Sequence, residues 1–237
     1  MRILLIGSGN RAKAYATYFK EQIVCVCDPR EGQADLLIKE YRLSNAASYS
    51  DYKVCEGFDS IIISVPDYVH EEVFDWAVLQ DVPILLEKPV AVTNQSLANM
   101  FALGLNFKKG IILGFTLRYT FMYKKILELL DSGVIGEIIS VEAAELLDPM
   151  HAAKFFRRWH RHSKYSGGFL NTKCSHDMDM INQIVPGKPK YISSFGSNSI
   201  FTEGINGKAP EYFSLPELTE LNENTKIVIA DLLAQNR

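Results

Sequence analysis

The chain of 237 residues carries a formal net charge of -3, and hydrophobic residues make up 47% of it. This length allows one large domain or two small ones, each with a substantial core. The slight negative charge argues against a nucleic-acid partner or an anionic membrane surface, and no apolar run is long enough to span a bilayer. The N-terminal MRILLIG lacks the long apolar region and the cleavage site of a signal peptide. We therefore expect a cytoplasmic protein.

The first half of the sequence alternates continuous apolar runs with segments of helical character. Apolar runs of this kind are typical of strands that are covered on both faces, and they occur at 2–7, 22–27, 59–66, 83–87 and 110–115. The helical segments between them are 10–20, 31–42, 67–80 and 93–106. This alternation predicts right-handed crossovers and a doubly wound parallel sheet over residues 1–117.

After about residue 118 the regular alternation ends. The predicted elements are a helix at 120–133, a strand at 136–146, a loop at 151–168, a helix in the latter part of 169–185, and strands at 190–196 and 225–233. We therefore predict a second domain over residues 118–237, which carries the substrate site, catalytic groups and the oligomer contacts.

The segment IGSGNRA, between the first strand and the first helix, has the spacing G-x-G-x-x-G/A in Gly7, Gly9 and Ala12. In this context Gly7 allows a tight turn, and Gly9 lets a diphosphate approach the backbone at the helix N-terminus. Asn10 and Arg11 belong to the same turn. The pattern predicts a dinucleotide site, and the alternative is a glycine-rich turn without a nucleotide.

Asp28 ends the second predicted strand, about 20 residues after Gly7, where an acid binds the adenosine ribose in many dinucleotide sites. A carboxylate accepts hydrogen bonds from ribose hydroxyls and repels a 2′-phosphate, which favours NAD over NADP. Arg30 lies two residues further on and keeps NADP open as an alternative. Asp28 could also serve only to open the turn DPRE.

The segment LLEKPVAV places Lys88 just after the predicted strand 83–87, at the end where open α/β sheets bind ligands. The pKa of an ordinary lysine is about 10.4, and burial beside a positively charged nicotinamide lowers it. Lys88 is therefore a candidate base for the proton of an alcohol, and a surface lysine is the alternative. Neighbours on a strand point to opposite faces, so we expect Glu87 to brace the backbone or the ribose region.

His176 and Asp179 are three residues apart and share one face if their segment is helical. Asp179 would then hold the imidazole tautomer while the other ring nitrogen meets a substrate. Lys173 lies one turn earlier and is a candidate substrate contact. The alternative for His176 is a core histidine whose hydrogen bonds are satisfied internally.

The segment FFRRWHRHS mixes cations with aromatic rings. Sugars pack against aromatic faces and bind cationic donors, so Arg157, Trp159 and His160 are candidate substrate or cofactor contacts. A loop packed on the first domain is the alternative. The histidines of this region lack the spacing of metal ligands, so we predict no metal site.

Five segments occur in order along residues 1–196: IGSGNRA, SVPDYVHEEV, PILLEKP, GFTLRYTFMYKKILELLDSGVIGEI and SGGFLNTKCSHDMD. Together they resemble the Gfo/Idh/MocA family, which is named for glucose–fructose oxidoreductase, inositol dehydrogenase and a rhizopine-catabolism protein. The resemblance implies a Rossmann domain followed by an α+β domain with a large, mostly antiparallel sheet. Family members usually continue past the end of this chain, so we expect that second sheet to be incomplete.

The resemblance also implies roles for individual residues. Lys88 would contact both the nicotinamide ribose and the reacting hydroxyl, with His176 as its acid/base partner. Val65, Pro66 and His70 would line the cofactor path, and Arg118 lies in the segment that resembles the domain junction. The predicted cofactor-binding residues are therefore Gly7, Gly9, Asn10, Arg11, Asp28, Val65, Pro66, His70, Glu87 and Lys88, and the predicted substrate contacts are Arg118, Trp159, Lys173 and His176.

These residues predict an oxidoreductase that transfers a hydride between NAD, or alternatively NADP, and a sugar, cyclitol or related polyol. Two other functions stay open: a redox-neutral enzyme that retains NAD and cleaves a glycosidic bond, and a non-catalytic, NAD-dependent sugar sensor. Thr172 stands where many relatives carry an acid, which keeps the sensor open. We expect a homo-oligomer, because a broad sheet with one bare face needs cover.

Overall fold

The computed structural model describes residues 1–156, 159–185 and 187–196. It divides the chain into two units, Met1–Thr116 and Leu117–Arg237. No helix among the described residues is both long enough and apolar enough to cross a membrane.

A single parallel sheet forms the centre of the first unit. Its six strands are β1 Ile3–Ile6, β2 Ile23–Cys27, β3 Ala47–Tyr49, β4 Ser60–Ile63, β5 Ile84–Leu86 and β6 Ile111–Leu113. They lie in the order β3-β2-β1-β4-β5-β6, and every neighbouring pair is parallel. This order is that of the dinucleotide-binding Rossmann fold, so the predicted fold class is confirmed.

Helices cover both faces of this sheet. They are α1 Asn10–Tyr18, α2 Gln33–Tyr41, α3 His70–Val78 and α4 Asn94–Asn106. Successive residues of β1 alternate between two cores: Leu4 and Ile6 pack in the core that contains α3, and Ile3 and Leu5 in the core that contains α1 and α2. Because side chains alternate along a strand, two buried faces require the continuous apolar runs seen in the sequence.

Strand β3 was not among the predicted strands. It has only three residues, with the sequence ASY, and none of them is buried. As the edge strand beyond β2 it needs no apolar face, so its sequence gives neither an apolar run nor an alternating pattern.

The second unit is helical wherever its described residues form regular structure. Its α-helices are α5 Phe121–Asp131, α6 Pro149–Phe155, α7 Ser163–Ser166 and α8 Phe169–Ile184. The prediction of a loop at 151–168 is therefore wrong in part, because this stretch includes the end of α6, a short 3₁₀ helix at Trp159–Arg161, and α7. Asp148 caps α6 by accepting a hydrogen bond from the His151 amide at 2.9 Å, and Pro149 occupies the first turn.

The predicted strands 136–146 and 190–196 are not strands in the structure. A strand needs a partner for its backbone hydrogen bonds, and no strand lies beside either segment within the described part of the second unit. Ile139, in the middle of the first segment, is 90% exposed. The predicted strand 225–233 lies outside the described residues, and the antiparallel sheet stays a prediction.

Candidate cofactor and catalytic site

The turn between β1 and α1 has the geometry of a phosphate-binding loop. Gly7 has a φ of +97°, and a Cβ added there would lie 2.6 Å from the carbonyl oxygen of Ser64. Only glycine fits this position without strain. Gly9 begins α1, no side chain caps that helix, and the space where its Cβ would lie is open for 4 Å. The first N–H groups of α1 are thus available to an anion.

Asp28 is buried directly after β2, where five donors surround its carboxylate. Ser8 donates from its amide, at 3.1 Å, and from its hydroxyl. Arg30 donates from its amide at 3.0 Å, Nε at 2.9 Å and Nη2 at 2.8 Å. Burial alone would raise the pKa of Asp28, but the hydrogen bonds from Arg30 and Ser8 outweigh it and lower the pKa to about 2.

Because donors already occupy the acceptor positions of the Asp28 carboxylate, binding of a ribose there would require a change of partner. A carboxylate has about four lone-pair positions, so a ribose hydroxyl must replace one of the present donors. Ser8 is buried, whereas the side chain of Arg30 is 65% exposed. Arg30 is therefore the partner that can leave, and its guanidinium would stay near the ribose.

His70 lies at the start of α3 and is 1% exposed. Its Nδ1 is 2.8 Å from the carbonyl oxygen of Pro89, and its Nε2 is 3.2 Å from that of Val65. Burial lowers the pKa of this imidazole, although the hydrogen bonds to the carbonyl groups oppose the effect. The ring thus lies behind the loops that follow β4 and β5 and holds them together, while Pro66 is exposed.

Lys88 is half-buried and follows Glu87 at the end of β5. Glu87 is 4% exposed, and its Oε1 accepts a hydrogen bond from the Tyr15 hydroxyl and lies 3.0 Å from Nε of Arg11. Its Oε2 accepts a hydrogen bond from the Lys88 amide at 3.2 Å. Glu87, for which a bracing role is predicted, thus contacts helix α1.

These groups all follow the carboxyl ends of four parallel strands. Gly7 follows β1, Asp28 follows β2, Val65 follows β4, and Glu87 with Lys88 follows β5. Because carboxyl ends of parallel strands share one edge, all of these residues lie at the edge where ligands bind in open α/β sheets.

In the second unit, helix α8 buries Thr172, His176 and Asp179 along one face. The Asp179 carboxylate forms an ion pair with Arg118, whose Nε donates to Oδ2 at 2.7 Å and whose Nη2 donates to Oδ1. The expected contact of Asp179 with the His176 ring stays a prediction, and the Asp179 carboxylate is paired with Arg118. The two-point geometry of a guanidinium and a carboxylate favours this contact.

Thr172 has a structural contact that an acid could not make. Its hydroxyl donates a hydrogen bond to the carbonyl oxygen of Ser166 at 3.0 Å, and the residue is 5% exposed. A carboxylate at this position would face that carbonyl oxygen with no proton to donate.

Lys173 forms an ion pair with Glu145, and only 12% of its side chain is exposed. Burial raises the pKa of the neighbouring Asp177, and the contact with Glu145 raises it further. Trp159 stacks on His160, with ring centroids 3.7 Å apart. Arg157 lies outside the described residues.

Sequence reasoning missed Ser8, Tyr15 and Glu145 as members of these networks. Tyr15 lies four residues after Arg11, one helical turn along α1, which is a spacing that places both on one face. Ser8 stands within the glycine loop. Nothing in the sequence pairs Glu145 with Lys173, because 28 residues separate them.

Comparison with known proteins agrees with this fold. The family described as "Oxidoreductase family, NAD-binding Rossmann fold" matches residues 1–109, and "Oxidoreductase family, C-terminal alpha/beta domain" matches residues 127–212. The chain belongs to this Gfo/Idh/MocA oxidoreductase family, which confirms the resemblance. Its first unit is an NAD-binding Rossmann domain.

Individual relatives in the family are distant. The chain is 28% identical over 141 residues to inositol 2-dehydrogenase of Salmonella typhimurium strain LT2, covering 58% of this chain and 42% of that protein. It is 25% identical over 181 residues to 2,7-anhydro-N-acetylneuraminate hydratase of Escherichia coli K12, covering 75% of this chain and 46% of that protein. The chain thus spans less than half the length of these relatives.

A similar solved structure is that of myo-inositol dehydrogenase from Lactobacillus casei in complex with NAD(H) and myo-inositol. It matches with a TM-score of 0.61 at 21% sequence identity, over 78% of this chain and 54% of that one. At this identity the likeness concerns the fold.

Proposed function

We propose that the chain belongs to an NAD-dependent oxidoreductase that transfers a hydride between the cofactor and a sugar, cyclitol or related polyol. The observation that carries this proposal is the shared strand edge, where the glycine loop follows β1, Asp28 follows β2 and Lys88 follows β5 of one parallel sheet. Inositol 2-dehydrogenase among the relatives supports the polyol class. NADP is the alternative cofactor, because Arg30 lies beside Asp28.

The residues of the first unit fit a dinucleotide. The uncapped N-terminus of α1 and the open space at Gly9 suit a diphosphate, and Asp28 suits a ribose hydroxyl. When bound, NAD supplies the hydride chemistry. The protein supplies orientation and proton transfer.

We assign Lys88 and His176 as the acid/base groups. Lys88 would hold or accept the proton of the reacting hydroxyl, and the buried His176 would exchange it as the second group. The pairs that Arg118 and Lys173 form with acids leave their charged groups in fixed positions, from which each could bind a substrate hydroxyl. The roles of Trp159 and of Pro66 stay predictions, as do a homo-oligomer and a cytoplasmic location.

A panel of sugars and cyclitols with NAD and with NADP, followed at the NADH absorbance, tests the proposal. We expect turnover of at least one polyol, and Lys88→Ala should abolish it while NAD binding persists. The exposed Lys108 provides the matched control, since Lys108→Ala should leave turnover unchanged. NAD binding without formation of NADH from any compound would reject the dehydrogenase and leave the sugar sensor and the redox-neutral enzyme.

A redox-neutral reaction is a second candidate, because one relative carries the name of a hydratase. Such an enzyme would convert its substrate without accumulating NADH. Product analysis by mass spectrometry, alongside the absorbance assay, separates the two candidates.

A further inference from the structure

Glu87 is a buried acid whose contacts extend well beyond its own strand. A buried carboxylate is stable only when charge and hydrogen bonds compensate its lost hydration. Here Arg11 supplies the charge, and the Tyr15 hydroxyl and the Lys88 amide supply hydrogen bonds. Burial raises the pKa of Tyr15, and the adjacent Glu87 carboxylate raises it further, so Tyr15 stays a donor.

The backbone at Gly114 also confines the Glu87 carboxylate. A Cβ built on Gly114, just after β6, would lie 2.9 Å from the Glu87 carboxyl carbon and from Oε2. The carboxylate thus packs against bare backbone on one side and against α1 on the other. This close packing leaves it little freedom to change its orientation.

One edge of the Arg11 guanidinium contacts Glu87, and the other edge remains available to a ligand. Nε faces Glu87 at 3.0 Å, and 40% of the side chain is exposed. Within the described residues, neither Nη1 nor Nη2 of Arg11 has a hydrogen bond. Arg11 also lies in the first turn of α1, whose N–H groups no side chain caps. Its free edge is therefore available at the helix end that attracts anions.

We propose that Glu87 is a positioning residue: it orients Arg11 toward the cofactor diphosphate and, through the Lys88 amide, couples this contact to the placement of Lys88. The proposal rests on the proposed dinucleotide site, and it adds a structural connection between the bound cofactor and the candidate base Lys88. An arginine whose guanidinium group is already oriented loses less conformational freedom when it binds phosphate.

Calorimetric titration with NAD and with ADP tests the link, because ADP carries the diphosphate but no nicotinamide. Arg11→Met should raise the Kd of both ligands by about tenfold, the loss of a charged hydrogen bond. Glu87→Gln should raise both by about fivefold, because the amide no longer holds the guanidinium firmly. The double variant should bind about as weakly as Arg11→Met alone, since both changes remove one interaction.

Glu40, on α2, provides a matched control, because its partner lies on α1 like that of Glu87. It forms an ion pair with Lys13 at 2.8 Å, and its side chain is 51% exposed. Glu40→Gln should change both dissociation constants by less than about twofold. If Glu87→Gln does not fold, Tyr15→Phe in combination with Arg11→Met provides the same test of non-additivity, because Tyr15 acts on Arg11 only through the carboxylate.

Hydrogen exchange tests the second half of the proposal. NAD should slow amide exchange in residues 86–90 of the wild type, and this protection should be lost in Arg11→Met at saturating ligand. A Glu87→Gln protein that melts earlier but binds both ligands like Glu40→Gln would overturn the positioning role and leave the dehydrogenase proposal standing. A wild-type chain that binds neither NAD nor ADP would overturn both.

Discussion

Replacing each glycine of the phosphate loop by alanine should separate folding from cofactor binding. At Gly7, alanine would have to adopt a φ of +97°, which costs a residue with a side chain about 1–3 kcal/mol. Its Cβ would also lie 2.6 Å from a backbone oxygen of Ser64, which cannot rotate away. Overpacking of this kind adds about 1–3 kcal/mol, so we expect Gly7→Ala to lower the free energy of unfolding by about 3 kcal/mol.

Gly9 is the matched position, because neither of these penalties applies there. Its φ is -72°, which alanine adopts readily, and its Cβ would meet no atom within 4 Å. We expect Gly9→Ala to change stability by less than about 0.5 kcal/mol. The methyl group would instead occupy the space through which the diphosphate approaches, and raise the Kd for NAD at least about tenfold.

Urea unfolding followed by circular dichroism, and calorimetric titration with NAD, measure the two effects. We expect opposite outcomes for the pair: Gly7→Ala loses stability, and Gly9→Ala loses affinity at full stability. Wild-type affinity in Gly9→Ala would refute the phosphate loop. Wild-type stability in Gly7→Ala would refute the close approach to Ser64.

Three further predictions concern single contacts. The pKa of Asp28 is about 2 against an ordinary 3.8, so its ionised form contributes about 2 kcal/mol above pH 4. This contribution is lost as the pH falls through 2, so the stability difference between wild type and Asp28→Asn should shrink from pH 5 to pH 2; a constant difference would contradict it. Thr172→Asp should lower the unfolding midpoint because its carboxylate would face the Ser166 carbonyl, whereas Thr172→Ser should not. His70→Phe should lower stability by about 1–3 kcal/mol, because the buried carbonyl groups of Pro89 and Val65 would then face a ring without an N–H donor; an unchanged urea midpoint would contradict this.

The first unit was predictable because its strands are buried on both faces. A continuous apolar run such as 2–7 identifies a strand locally, and the run itself reflects the two cores that receive alternate side chains. Strand β3 escaped prediction because it is short and unburied. The segment 136–146 shows the opposite error: the local sequence indicated a strand, but a strand also depends on a partner that local sequence does not reveal.

The residues of the candidate site also differ in how far local sequence could predict them. Gly7 and Asp28 follow from local spacing, because each stands at a fixed place in a strand–turn–helix unit. The contact between Glu87 and Tyr15 spans 72 residues, and the pairing of Arg118 with Asp179 spans 61. Such contacts depend on how distant elements pack, so the sequence identified the participants only in part and could not pair them.

The ion pair between Arg30 and Asp28 also bears on how cofactor preference could evolve. The five donors around the carboxylate mean that Arg30 would compete with a cofactor ribose for the same acid. Losing the arginine would free the acid and favour the cofactor with an unmodified ribose, whereas losing the acid would release the arginine for a 2′-phosphate. A change of one residue in either direction would therefore shift preference, without disturbing the glycine loop or the core beneath it.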